Sequence, residues 1–101
     1  MTEAKTVDAF ILQFQLNALS NNDLAFLDAH RCTTKQLQIA DQENKMAFVV
    51  AEAETRALVY DEVEEEFGVA ELRHEAAKVY RVELVGSFSQ ALQEFRRRVE
   101  N

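Results

Sequence analysis

The sequence predicts an all-α protein: a long helical hairpin preceded by one or two shorter N-terminal helices. Three observations carry that expectation. The 101 residues include no proline and two glycines, so the residues that normally punctuate turns and hairpins are almost missing. Apolar residues recur at intervals of three and four over long stretches. Gly68 falls between two such stretches, where the residue that ends a helix would stand.

The first helix is expected over about 6–19, where Val7, Phe10, Ile11, Phe14 and Ala18 share a face. The cluster "SNND" stops it and offers Asn21 or Asn22 as the cap of a second helix, about 22–31. Thr33 with Gln36 three residues on has the pattern of a capping box and would open a third helix, 34–67. On that helix Met46, Val49, Val50, Ala53, Ala57, Tyr60 and Phe67 form one apolar stripe, and Phe48, Ala51, Thr55, Leu58 and Val59 an opposite one. Two apolar faces imply a helix packed between neighbours. The fourth helix, 69–99, carries the seam Ala77, Tyr80, Leu84, Phe88, Ala91, Phe95 and Val99. The phase of that seam runs through Gly86 and favours an unbroken helix, over a restart at a Ser87–Gln90 capping box. Helices of roughly 45–50 Å exceed what a compact chain of this length can cover, which implies a bundle completed by homodimerisation along Phe88 and Phe95.

One domain is expected, since 48% hydrophobic content over 101 residues suits one small core. The formal charge of −7, from 18 acids against 11 bases, argues against direct contact with nucleic acid or an anionic membrane. The single cysteine, Cys32, has no internal disulfide partner, and the opening "MTEAKTVDAF" has no apolar signal core. Both point to the cytoplasm. The basic run Arg96–Arg98 reads as a favourable helix end, positive charge on the negative pole.

The stretch "DEVEEEFGVAELRHE" carries the densest chemistry. Glu64 and Glu62 fall on the apolar stripes of the expected helix, and Glu64–Glu66 at its end oppose its dipole, so a cation is expected nearby. Arg73 is the local candidate. A divalent metal is the sharper one: Glu71 and His74 form an ExxH step on one helix face, with Glu62 facing them from the preceding helix. That step resembles the ligand sets of di-iron helical bundles, and the resemblance is confined to it. Asp61, Glu62 and Glu65 are similar to the EExxE step of all-α nucleotide pyrophosphohydrolases. That family's second element, an ExxD on a following helix, is absent: the candidates read "ELRH", "EAAK", "ELVG" and "EFRR".

Nucleophilic catalysis is not indicated, because His30 and Cys32 point about 200° apart on a helix. An enzyme is therefore the minority reading. The expected function is a non-enzymatic interaction module, an adaptor, small regulator or chaperone-like dimer, that shows Glu62, Glu64, Glu65 and Glu66 to a basic protein partner and needs no cofactor. The alternatives are a divalent-metal bundle built on Glu62, Glu71 and His74, and an acidic inhibitor that mimics nucleic acid with Glu52, Glu54, Asp61, Glu62, Glu64, Glu65 and Glu66.

Overall fold

The computed structural model describes residues 4–11, 19–40, 42 and 45–100. It overturns the all-α expectation. Two helices, α1 (Ala4–Phe10) and α2 (Asn21–His30), lead into five strands, β1 (Arg31–Ile39), β2 (Met46–Ala53), β3 (Arg56–Asp61), β4 (Glu66–Arg73) and β5 (Lys78–Gly86), and helix α3 (Phe88–Glu100) follows. The segments 34–67 and 69–99 are thus not a helical hairpin but the barrel wall and its covering helix. Phe14 and Ala18, on the face expected for the first helix, lie outside the described residues.

The strands form a closed barrel in chain order, each antiparallel to the next. A meander of five strands must close with first and last parallel, and β1 meets β5 that way at Gln38↔Lys78 and Ile39↔Val79. The closure is short beside the six residue pairs that join β3 to β4.

What looked like two stripes of a helix is the two faces of strands buried on both sides. Ala47, Val49, Ala57, Val59 and Ala70 pack inside the barrel with Ile39, Leu72 and Val79. Phe48, Val50, Leu58, Phe67 and Val69 point outward and pack beneath Val7, Leu27, Phe88, Leu92 and Phe95 of the helices and Ile11 just after α1. The sizes sort as the geometry requires, because the lumen of a five-stranded barrel is narrower than that of the eight-stranded ones that side chains just fill. Alanine and valine fit there, and phenylalanine goes outside. A bulge between Val49 and Ala51 turns Val50 and Ala51 both toward the helices.

Phe88 and Phe95 are therefore buried in the chain's own core and are not on a face open to a second copy. Among the described residues the longest helix is the 13-residue α3, so there is no overlong helix for a second copy to cover.

The turns explain the missing glycines. Among the described residues, four that are not glycine adopt the left-handed conformation: Glu54 (φ 54°), Glu65 (57°), Ala77 (52°) and Arg81 (53°). Glu54 begins the β2–β3 turn, Glu65 ends the β3–β4 turn, Ala77 closes a 3-10 turn at His74–Ala76, and Arg81 marks a bulge in β5. Each such residue costs on the order of 1 kcal/mol in steric strain. Gly68, by contrast, is no helix terminator. It sits mid-strand in β4, where an added Cβ would lie 2.3 Å from the Glu83 carbonyl oxygen and 2.9 Å from the Leu84 Cα.

Helix boundaries follow their caps. Ser20 caps α2, its hydroxyl accepting from the Asp23 N–H at 3.1 Å. At α3 the capping box forms: Ser87 N–H donates to Gln90 Oε1 at 3.1 Å, and Gln90 N–H to Ser87 Oγ at 3.3 Å. The restart at Ser87, not the unbroken helix, is what occurs. Arg97 and Arg98 stand in the last turn of α3 and both clasp Glu94, whose pKa falls to about 2 through the hydrogen bonds from Arg97 and then Arg98. A depressed carboxylate stabilises the fold above its unfolded value, and that contribution is lost as pH falls toward 2.

Two substitutions test this architecture by chemical denaturation. Gly68→Ala should destabilise the protein by about 1–3 kcal/mol, because the obstacle is backbone that cannot give way without parting β4 from β5. Ala77→Gly should raise stability by up to about 1 kcal/mol, as relief of left-handed strain outweighs the added freedom of the unfolded chain.

Candidate functional site

The barrel has two chemically different ends. The registers place Phe48 opposite Tyr60 and Phe67 opposite Gly86, which brings the start of β2, the β3–β4 turn and the end of β5 to one end. Arg56 opposite Glu71 puts the β2–β3 turn and the start of the β4–β5 connection at the other.

At the first end the β3–β4 turn carries Glu62, Val63, Glu64 and Glu65 in four consecutive positions. Asp61 holds it. Its side chain is 2% exposed, and its Oδ1 accepts from the backbone N–H of Val63 (2.9 Å) and of Glu64 (3.1 Å), while Oδ2 meets Lys45 Nζ at 3.2 Å. The buried aspartate is thereby paired and bonded within the turn, as a carboxylate withdrawn from water must be. The tip itself faces solvent: Glu64 and Glu65 are exposed and, among the described residues, have no ion-pair partner, and Val63 is 74% exposed. Met46 and Val85, each 37% exposed, lie at the same end of the barrel on β2 and β5.

The local field is visible in Tyr60. Burial raises its phenol above the ordinary value of 10.0, and the charges of Glu65, Glu62 and Asp61 add to the rise. A raised phenol contributes stability that is present below its unfolded value and lost as pH climbs through the folded one.

The residues expected to bind metal are not brought together. Glu62 is in the tip, whereas Glu71 and His74 lie at the far end of β4, roughly 17 Å of strand away at ~3.3 Å per residue. Each of the latter two is otherwise engaged: Glu71 pairs with Arg73 at 3.0 Å, and His74 Nε2 donates to the Glu54 carbonyl at 3.1 Å. Asp61, Glu62 and Glu65 share no helix, and among the described residues no three histidine, cysteine or carboxylate side chains are grouped to hold a metal ion. The acids suggested for nucleic-acid mimicry are likewise divided. Glu52 pairs with Lys35 at 3.0 Å, Glu54 is at the opposite end, and Asp61 is buried. Glu66 starts β4 beneath the tip and is half-buried.

His30 and Cys32 do not converge either. The Phe26 carbonyl accepts from His30 Nδ1 at 2.9 Å, while the Cys32 thiol lies 3.9 Å from the Val49 carbonyl. Burial, and then the charge of Glu52, raise the thiol's pKa, which keeps it protonated and unreactive at neutral pH.

At the second end sequence reading singled out Glu54, Glu71, His74 and His30 but not the cleft that the fold forms there. There a cleft of about 500 Å³ opens between the C-terminal ends of α2 and α3 and the β2–β3 turn, lined by His30, Glu54, Thr55, Arg56, Arg98 and Val99. Its residues run from His30 to Val99 and carry no motif, so only the fold assembles them.

Against this geometry, comparisons with protein-family models, with curated proteins and with solved structures return no match. Among the described residues no helix is long and apolar enough to cross a membrane.

The field at the tip is open to spectrophotometric titration. In a Tyr80→Phe background, the Tyr60 phenol should ionise above pH 10, and Glu65→Gln should lower its midpoint. A midpoint unmoved by Glu65→Gln would remove the negative field assigned to the tip.

Proposed function

We infer that the chain is a non-enzymatic interaction module that docks a basic, apolar-bearing segment of a protein partner on the β3–β4 tip, in the cytoplasm. The observation that carries this reading is the exposure of Val63, at 74%, among Glu62, Glu64 and Glu65 on a turn pinned from below by Asp61. A solvated acidic turn has no need of a branched apolar side chain at its centre. A partner that presents a cation and a small apolar surface would cover both, and Met46 and Val85 at the same end of the barrel are further exposed apolar side chains. The acids speed encounter through long-range attraction, and the apolar centre holds the complex once formed. A second copy does not suit the tip, since its own acids would repel.

The test uses a fluorescent lysine- and leucine-containing peptide as a probe in anisotropy titrations at moderate salt. Glu62→Gln, Glu64→Gln and Glu65→Gln combined should weaken binding by at least about tenfold, and Val63→Ser alone should weaken it by several-fold without changing charge. The control neutralises three acids away from the tip: Glu54, Glu75 and Glu100. If it weakens binding as much as the tip variant does, or if Val63→Ser has no effect, the peptide senses only net charge and the reading fails.

A further inference from the structure

The cleft at the opposite end has a charge arrangement that the tip reading does not use. Glu54 and Arg56 stand on either side of Thr55, both exposed and both lining the cleft, yet they form no ion pair with each other or with any other described residue. The neighbouring charges are committed. Arg98 is bridged to Glu94 at 2.8 Å and to Glu83, Arg73 to Glu71, and Arg96 to Asp23 at 3.3 Å.

The cleft is also held in shape. The Glu54 carbonyl is fixed by His74, and the Thr55 carbonyl accepts from the Leu72 N–H at 2.7 Å. His30 is fixed too, its ring centroid 4.3 Å from that of Phe26 and edge-on to Phe95. Because a carbonyl can only accept, His30 Nδ1 must carry the proton of that bond, and in the neutral ring Nε2 is then an acceptor. Nε2 has no partner among the described residues.

The signs decide what such a cleft can hold. The ends of α2 and α3 that border it carry partial negative charge, which together with Glu54 opposes a simple anion. The unpaired Arg56 guanidinium opposes a simple cation. A molecule with both charges satisfies both: its carboxylate takes the two-pronged hydrogen bond that a guanidinium offers, and its ammonium meets Glu54, the helix carbonyl ends and His30 Nε2. We propose that this cleft binds a small zwitterion of the free α-amino-acid class, with Arg56 holding the carboxylate and Glu54 the ammonium. The volume of about 500 Å³ admits an amino acid with a side chain of any size. Thr55 and Val99 line the space left for that side chain.

The experiment is a thermal-shift screen of the twenty standard amino acids at millimolar concentration, followed by calorimetric titration of whichever raises the melting temperature most. The same amino acid is then titrated as its carboxamide and as its N-acetyl derivative. Each blocked form should bind at least about tenfold more weakly. Arg56→Gln should weaken the free amino acid and abolish the preference for carboxylate over carboxamide. Glu54→Gln should abolish the preference for ammonium over N-acetyl. The blocked forms test the wild-type protein directly, so the proposal stays falsifiable if a variant folds poorly. It is overturned if no amino acid raises the melting temperature, if a blocked form binds as well as the free one, or if the folded variants keep both preferences. Tip variants should leave this binding intact, which separates its failure from failure of the protein-docking reading.

Discussion

The structure depends on one constraint: the middle strands of a five-stranded barrel are buried on both faces, and the inner face is too narrow for large side chains. Ala47, Val49, Ala57, Val59 and Ala70 meet it inside, and Phe48, Val50, Leu58, Phe67 and Val69 take the bulk outside. That bulk needs a cover, so the helices are not accessories. Phe88, Leu92 and Phe95 of α3, with Leu27 of α2, Val7 of α1 and Ile11 just after it, shield apolar surface that the barrel cannot fold inward. Gly68 belongs to the same constraint, because β4 and β5 approach there too closely for any side chain.

Double burial also explains why the architecture was hard to read from the residues. A strand with one wet face alternates apolar and polar, whereas "MAFVVA" and "ALVY" alternate small apolar with large apolar, and a hydrophobic-or-polar reading sees an unbroken run. The β-branched content of those runs was the available signal for strands. The turns hid for a different reason, since glutamate, alanine and arginine at Glu54, Glu65, Ala77 and Arg81 occupy backbone conformations that glycine or asparagine usually fills. What was legible was local: the second helix near its true bounds, the Ser87–Gln90 box as a candidate start, and the density of carboxylates after Asp61. The cleft was beyond reach, because residues from α2, the β2–β3 turn and α3 meet only once the chain has closed.

The two ends of the barrel divide the chemistry between a two-residue turn and a four-residue one. Each hairpin has a left-handed glutamate, Glu54 in one and Glu65 in the other. In the β3–β4 turn a buried aspartate collects the backbone N–H groups, and the charged side chains are left to project outward. In the β2–β3 turn the carbonyls are the fixed groups, held by His74 and Leu72, and the side chains border a hollow. The first geometry presents a convex, single-sign surface. The second presents a concave one of mixed sign.

The short parallel closure shapes how the molecule breathes. β1 and β5 join through Gln38↔Lys78 and Ile39↔Val79, residues 40 positions apart, while every other strand pair is formed between neighbours along the chain. The β2–β5 meander can therefore assemble from contacts close in sequence, and the seam pairs only after a long loop has been closed. The same seam has the fewest paired residues to part. Opening there would swing β1 outward, and α1 would travel with it, because Asp8 of that helix is tied to Arg31 at 3.4 Å and to the Thr34 hydroxyl. The lowest-energy opening would be a coordinated departure of the N-terminal third from a barrel remnant that keeps α3 on its outer face, so amide exchange should be fastest in β1 among the strands.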